Sequence, residues 1–345
     1  MKSNVYSTRT RAVWSANGHK KTPFLAIENP IDLFYLTGLN LSLGTLLLSA
    51  KSAHLFVDGR YLEMAKKKGP FPCSPLGELK DALKNKSFGF DSGFTPFSRW
   101  ETLKEWGSPV PCKNPTASVR AIKSPEELKC LKESAALLWK GYQYIRKILR
   151  TGLTEKEVAT SFEIFCLQQG ADKMGFDPII AFGKNSAFPH YRPGNVRLKK
   201  GDTVLCDLGV VTSHYHSDMT RTFFFGAPHP QMRLFEEVVQ EAHDAALALC
   251  RPGVKVGDLD HAATQVIKKA GLEKFLAHSL GHGVGLEIHE FPRLKYKGED
   301  HNTLLQKGMV ITIEPGLYAP GIGGYRFEDT IAITAKGYDN WYKVK

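Results

Sequence analysis

Two rhythms alternate along this chain. Leu128, Leu131, Ala135, Leu138, Tyr142, Ile145 and Leu149 return in steps of three and four, the spacing that lines one face of a helix with apolar side chains. Ser124-Pro125-Glu126-Glu127 stands ahead of that run with a cap hydroxyl, a proline at the first helical position and a glutamate three after the cap, which together make a capping box. A second box, Thr154 with Glu157, opens a helix through Val158, Phe162 and Phe165 that Gly170 closes. Met232 to Cys250 and Leu259 to Lys269 also read as helices. The other rhythm is that of strands. Thr203 to Val210 is β-branched and apolar with Asp207 inside it, and Met309 to Ile313 runs directly into Glu314. Tyr325 to Ile333 alternates, so Arg326, Glu328 and Thr330 are expected on one face of a single strand.

Ahead of the helices, residues 22–110 alternate short apolar runs with turn or helix signals: Pro23-Phe24-Leu25-Ala26-Ile27, Leu46-Leu47-Leu48 and His54-Leu55-Phe56-Val57. This is the pattern of a mixed α/β domain with short strands. Pro109 to Ser118 turns Pro- and Ser-containing and reads as a linker, giving domains of 1–118 and 119–345. A chain of 345 residues is also long enough to favour two cores over one. No internal repeat or low-complexity segment interrupts the pattern.

Composition narrows the setting. Hydrophobic residues make up 42% and charged residues 23%, as in an ordinary globular protein. No run of about 18 apolar residues exists, and the first 22 positions are polar and basic without the apolar stretch of a signal peptide. A cytoplasmic location and no membrane partner are therefore expected. Six cysteines, at 73, 112, 130, 166, 206 and 250, form no CxxC pair or framework spacing, which fits reduced thiols. Cys206, beside Asp207 in a strand, points to the opposite face and reads as packing. The net charge of +11 is dispersed, and its densest cluster, Lys66-Lys67-Lys68, has no interleaved aromatics. It reads as a solvated face, with no nucleic-acid partner.

The chemistry lies in the polar residues set among the strands. Asp207 and Asp218 are eleven positions apart, His282 sits in Gly281-His282-Gly283-Val284-Gly285, and Glu314 and Glu328 follow near the C-terminus. Four carboxylates and one imidazole are a ligand set for two divalent metals, and metal-assisted hydrolysis with water as nucleophile is the reaction they imply. Asp207 alone could be a turn residue before Leu-Gly, but an unpaired carboxylate in an apolar strand is costly. Asp218 could instead pair with Arg221, a bland account that serves for one residue and poorly for the set. The glycines beside His282 would let a ligand approach closely. His289, seven positions on, is of the type that shuttles protons or supports an oxyanion. Glu290 reads as structural. His190 and His278 carry no signal of their own, and His214 and His216 read as surface residues of a hairpin turn.

These motifs resemble the pita-bread metallopeptidases, the family of methionine aminopeptidase, aminopeptidase P, prolidase and creatinase. The resemblance covers roughly residues 120–340 and is carried by five ligands in order with matching local sequence. It implies a C-terminal catalytic domain with a curved, mainly antiparallel sheet covered by helices. It also implies Asp207, Asp218, His282, Glu314 and Glu328 as dinuclear ligands, with Asp207 and Glu328 bridging or bidentate, and His190 and His289 as the histidines that hold and stabilise substrate.

Three features point to the proline-specific branch. Asn29-Pro30-Ile31-Asp32-Leu33-Phe34-Tyr35-Leu36-Thr37-Gly38 and Val57-Asp58-Gly59-Arg60-Tyr61 resemble the N-terminal domain of aminopeptidase P, prolidase and creatinase, which methionine aminopeptidases generally lack. His278, four before His282, and Arg326, two before Glu328, match positions of the proline-specific members and would shape the pocket for proline or its carboxylate. Creatinase departs from the metal set that this chain retains. The resemblance thus implies an Xaa-Pro aminopeptidase or Xaa-Pro dipeptidase acting on peptides with proline second. Glu314 would serve as general base, with two divalent ions per subunit, Mn²⁺ foremost and Co²⁺ or Zn²⁺ as alternatives. It also implies a homodimer or homotetramer. The competing readings are a catalytically silent binding module, an aminopeptidase of other specificity such as methionine aminopeptidase, and a structural ion-pair cluster of the carboxylates with Arg221 and Arg326.

Overall fold

A computed structural model describes residues 2–17 and 22–342, and its contacts divide the chain into two compact units, Met1–Arg120 and Ala121–Lys345. The first unit carries helices α1 (Lys2–Asn17), α2 (Pro30–Thr37), α3 (Gly59–Lys68), α4 (Leu79–Leu83) and α5 (Phe97–Trp106). Its strands are β1 (Phe24–Ile27), β2 (Gly44–Leu48), β3 (Ala53–Val57), β4 (Cys73–Pro75), β5 (Ser87–Asp91) and β6 (Ser108–Cys112). They form one mixed sheet in the order β4-β3-β2-β1-β5-β6. β2, all five residues of it buried, lies inside the sheet, as a continuous apolar run requires.

Two features of this unit differ from the sequence reading. Residues 109–112, taken as linker, belong to β6, which pairs in parallel with β5, Phe88 opposite Pro109 and Phe90 opposite Pro111. β6 is the edge strand, and prolines two apart lose their N–H groups on one side only, so the edge tolerates both. The second is α1, which the polar N-terminal stretch concealed. It buries Val13, at 0% exposed, and Arg9 holds it as well, donating to the Tyr35 carbonyl at 2.8 Å with its guanidinium 4.1 Å from the Tyr35 ring centre. A short helix α6 (Ala117–Ala121) follows β6.

The second unit holds α7 (Pro125–Ile148), α8 (Glu155–Gln168), α9 (Pro230–Leu247) and α10 (Val256–Lys269). Both expected capping boxes are formed, Ser124 with Glu127 and Thr154 with Glu157. The strands are β7 (Lys173–Met174), β8 (Ile179–Phe182), β9 (Asp202–Leu208), β10 (Val210–Thr212), β11 (Tyr215–His216), β12 (Met219–Phe225), β13 (Gly281–Gly283), β14 (Glu290–Leu294), β15 (Val310–Ile313), β16 (Gly316–Ala319), β17 (Gly323–Arg326), β18 (Asp329–Ile333) and β19 (Tyr338–Asn340). Their sheets run β12-β9-β8, β11-β10-β7, β14-β13-β15-β18-β19 and β16-β17, and every strand pairing is antiparallel.

One core joins α7 and α8 to β8, β9 and β12 through Leu138, Phe162, Val204, Cys206 and Met219. Another joins α9 and α10 to β14, β15 and β18 through Phe235, Val239, Leu259, Leu294, Ile311, Ile313 and Ile331. Cys206 is fully buried among apolar neighbours, which pushes its thiol up to about 12 and makes it packing. The single strand expected over 325–333 is instead two strands, interrupted at Phe327 and Glu328. β17 pairs with β16 while β18 pairs with β15, so the chain passes from one sheet to another where Glu328 stands.

Candidate metal centre

Register sets the first half of the site. Asp207 on β9 faces Thr220 on β12 as a direct cross-strand pair, while the next pair, Cys206 with Arg221, turns to the opposite face. Asp218 stands immediately before β12, where the chain returns from the β10–β11 hairpin. The second half comes from the other sheet, with His282 in the middle of β13 and Glu314 just past β15. Glu328, in the gap between strands, is held by its backbone. Its N–H donates to the Thr220 carbonyl at 3.1 Å, and its carbonyl accepts from Arg221 Nη1 at 2.5 Å.

His282 is oriented by its own strand. Nδ1 lies 3.0 Å from the Gly283 carbonyl, which can only accept, so Nδ1 carries the proton and Nε2 presents its lone pair. Nε2 is 3.4 Å from Glu314 Oε1 and 3.6 Å from Asp218 Oδ2. Burial, then the charge of His289, pushes this imidazole down to about 3, so it is neutral at physiological pH. The flanking glycines serve packing. Side chains at 281 and 283 would collide with the Thr312 and Phe291 carbonyls of the adjoining chain, and neither glycine has a positive φ. The expectation of a flexible turn open to a ligand is thereby corrected, because the motif is a strand between two neighbours.

The carboxylates crowd one another. Burial and then the charge of Glu328 hold the Asp218 and Glu314 carboxyls well above the usual range. Burial and Asp207 push Glu328 up to about 8. Arg326 is the guanidinium in contact with the group, and it pairs with Asp207 at 2.5 Å. Among the described residues, no Lys or Arg forms an ion pair with Asp218, Glu314 or Glu328. Arg221, the alternative partner for Asp218, instead binds Asp329 at 2.6 Å. Ligand atoms of Asp218, His282 and Glu328 lie within 4.8 Å of one another. Oxygen-rich donors, one neutral imidazole and an excess of buried negative charge fit divalent cations.

Beside the acids runs a chain that the sequence reading did not contain. Arg326 Nε donates to Thr220 Oγ1 at 3.0 Å and Nη1 to the Tyr318 hydroxyl at 2.6 Å. Tyr318 lies 2.7 Å from His278 Nε2, and His278 Nδ1 lies 2.9 Å from the Ser279 carbonyl. That carbonyl fixes the proton on Nδ1, so Tyr318 donates to Nε2. Burial and Arg326 bring the His278 imidazole down to about 4. Thr220 also donates to Glu328 Oε2 at 2.8 Å. The signal for Tyr318 was its place, four residues past Glu314 in a strand whose alternate positions face the site.

The remaining residues fall into two groups. His289 packs edge-on against His282 with ring centres 4.2 Å apart, and the charge of His190, on an exposed turn, acts on both His278 and His289. Glu290 is structural, pairing with Lys123 at 3.1 Å through side chains that are 5% and 1% exposed. His214 lies exposed in the β10–β11 turn with φ 72°.

Acids buried around one neutral imidazole suit a metal-dependent protein. Comparison with known proteins makes it specific. A family profile described as Metallopeptidase family M24 matches residues 129–335, and one described as Creatinase/Prolidase N-terminal domain matches 16–122. The chain belongs to metallopeptidase family M24, whose members use divalent metal ions. It is 37% identical over 318 residues to an Xaa-Pro dipeptidase of Pyrococcus furiosus, covering 90% of each chain. The solved Xaa-Pro dipeptidase from Bacillus anthracis superposes with a TM-score of 0.93 at 30% identity, covering 99% of this chain and 98% of that one. The X-Pro aminopeptidase from Thermotoga maritima gives a TM-score of 0.85 at 25% identity, covering 97% and 98%. No helix among the described residues is long and apolar enough to cross a membrane.

Proposed function

We propose that this metallopeptidase hydrolyses the bond between an N-terminal residue and a following proline, with Xaa-Pro dipeptides as its substrates. The observation that carries the hydrolytic reading is the cluster of Asp218, Glu314 and Glu328, buried without a cation of its own around the neutral Nε2 of His282. Proline specificity and the dipeptide form are supported by the Xaa-Pro dipeptidase relatives. Action on the N-terminus of longer peptides is the second reading, favoured by the likeness to the X-Pro aminopeptidase.

In this reading Asp207, Asp218, His282, Glu314 and Glu328 hold two divalent ions, Mn²⁺ foremost with Co²⁺ or Zn²⁺ as alternatives. When bound, such ions supply Lewis acidity, which polarises a peptide carbonyl and makes water a nucleophile near neutral pH. Glu314 takes the proton from the attacking water and passes it to the leaving prolyl nitrogen. His289 and His190 hold the substrate and donate to the oxyanion. His278 and Arg326 shape the proline pocket, with Tyr318 tying one to the other. Residues 1–118 form the creatinase-like domain and 119–345 the catalytic one. The enzyme works as a homodimer or homotetramer in the cytoplasm, where the absence of disulfides among its cysteines is no handicap.

The test is turnover of Ala-Pro, Ala-Pro-Ala-Phe and Met-Ala-Ser after chelation and again after Mn²⁺ is added. Metal-dependent cleavage of Ala-Pro alone is expected. Cleavage of the tetrapeptide at a comparable rate selects the aminopeptidase reading, and cleavage of Met-Ala-Ser moves the chain to another specificity. Silence toward all three with metal bound leaves a binding module.

A further inference from the structure

We propose that Glu155 is a positioning residue that fixes the loop bearing His190. The inference rests on the reading that His190 contacts substrate. Glu155 is the first residue of α8 and is 0% exposed. Its carboxylate is surrounded by donors from the end of β8 and from the segment that joins β8 to β9. Oε1 accepts from the Phe182 N–H at 2.8 Å and the Asn185 amide at 2.9 Å. Oε2 accepts from the Tyr191 hydroxyl at 2.8 Å and the Gly194 N–H at 3.1 Å. Asn185 also donates to the Tyr191 oxygen at 2.8 Å.

One side chain thus grips the loop at 185, 191 and 194, on both sides of His190. The backbone of α8 adds to the grip, with Glu155 N–H donating to the Val196 carbonyl at 3.2 Å and Lys156 N–H to the Gly194 carbonyl at 3.0 Å. The opposite face of the loop rests on β17, where Ser186 Oγ accepts from the Gly324 N–H at 2.8 Å, two residues before Arg326. All four partners of the carboxylate are donors, so only a group with two oxygens and no hydrogen satisfies them together. A buried carboxylate adds little net stability over an apolar side chain of its volume, so core packing alone does not account for it. What the acid adds is a fixed path for the loop.

The experiment is a double-mutant cycle on the Mn²⁺-loaded enzyme with Ala-Pro as substrate: Glu155→Gln, His190→Ala and both together. Glutamine keeps the volume but turns an NH₂ toward Tyr191 and Gly194. If Glu155 acts through His190, Glu155→Gln lowers kcat/KM by about 10- to 100-fold in the presence of His190, as a misplaced group does, and by less than about 3-fold in its absence. Amide exchange over 183–194 also rises at least about 10-fold while β9 stays protected. Equal losses in both backgrounds, or unchanged exchange in the loop, overturn the proposal. Tyr191→Phe removes one donor without touching the acid, and a smaller loss that again requires His190 is expected if Glu155→Gln does not fold. Should His190→Ala alone keep full activity, the role of His190 falls and the proposal falls with it. Additive losses with His190→Ala impaired overturn only the proposal.

Discussion

Glu328 and Asp329 are neighbours in the chain, and the surroundings of the two carboxylates differ in one respect that matters. Asp329 is met by Arg221 at 2.6 Å and by the Asn340 amide at 2.6 Å, so its charge is answered by the protein itself. Glu328 points the other way and receives the Thr220 hydroxyl, while Asp218 and Glu314 crowd toward it. Both are buried, at 2% and 4% exposed. An interior that completes one ion pair and, a residue away, leaves three crowded acids with no Lys or Arg ion pair among the described residues fits the addition of positive charge. The completed side braces the uncompleted one, since Arg221 also holds the Glu328 and Thr220 carbonyls.

The largest effects come from neutralising one acid on each side. Asp218→Asn is expected to lower kcat/KM for Ala-Pro on the order of 10³-fold or more, with lost Mn²⁺ stoichiometry and no loss of melting temperature in the metal-free protein. Asp329→Asn leaves Arg221 buried without its partner. It is expected to destabilise by about 3–5 kcal/mol, which lowers the melting temperature by about 6–20 °C. Equal destabilisation by both variants in metal-free protein would erase the distinction between the two sides.

Glu314→Gln sharpens the same contrast inside the site. It keeps an oxygen for a cation and removes the base, so kcat is expected to fall about 10²- to 10³-fold while titration still detects bound Mn²⁺. Full activity with metal bound would remove Glu314 from the mechanism.

The pH dependence of the metal-free protein follows from Glu328. Its carboxyl titrates near 4.5 when unfolded and about 8 when folded, so the folded state holds the extra proton between those values. Stability from this group is fully present below about pH 4.5 and is lost as pH rises toward 8, a change on the order of a few kcal/mol. His278 and His282, pushed down to about 4 and about 3, oppose this below about pH 6.5, so the test runs above it: thermal melts from pH 7 to 8 are expected to fall without metal and to flatten when Mn²⁺ is added. A metal-free melting temperature that climbs over this range contradicts the crowding of the acids.

Helices were the most legible part of the molecule, because their periodicity and caps are local: α7 and α8 begin immediately after Ser124 and Thr154. The acids and His282 stood out because charge in an apolar strand has few bland explanations. What stayed hidden depends on contacts distant in sequence. The break at Glu328 exists because β17 and β18 choose different partners, and α1 meets the rest of its unit through Val13 and the Arg9–Tyr35 contact, which no periodic apolar stripe announces. Glycines 281 and 283 looked permissive and prove to be spatially required. Tyr318, Thr220 and Glu155 are ordinary residues until strand register and loop closure bring them to the site.

Tyr318→Phe probes the smallest of these effects. The hydroxyl accepts from Arg326 Nη1 and donates to His278 Nε2, so removing it frees two buried groups at once while leaving the acids and their cation deficit untouched. Arg326 keeps Asp207 and Thr220, and this limits the disturbance to the side of the site that faces His278. If that side binds proline, KM for Ala-Pro is expected to rise about 3- to 10-fold, the worth of one ordinary hydrogen bond, with kcat and Mn²⁺ content nearly unchanged. A fall in kcat with KM unchanged would place the Tyr318 chain on the reacting bond instead, and a loss of bound Mn²⁺ would make Arg326, through Asp207, part of the metal centre.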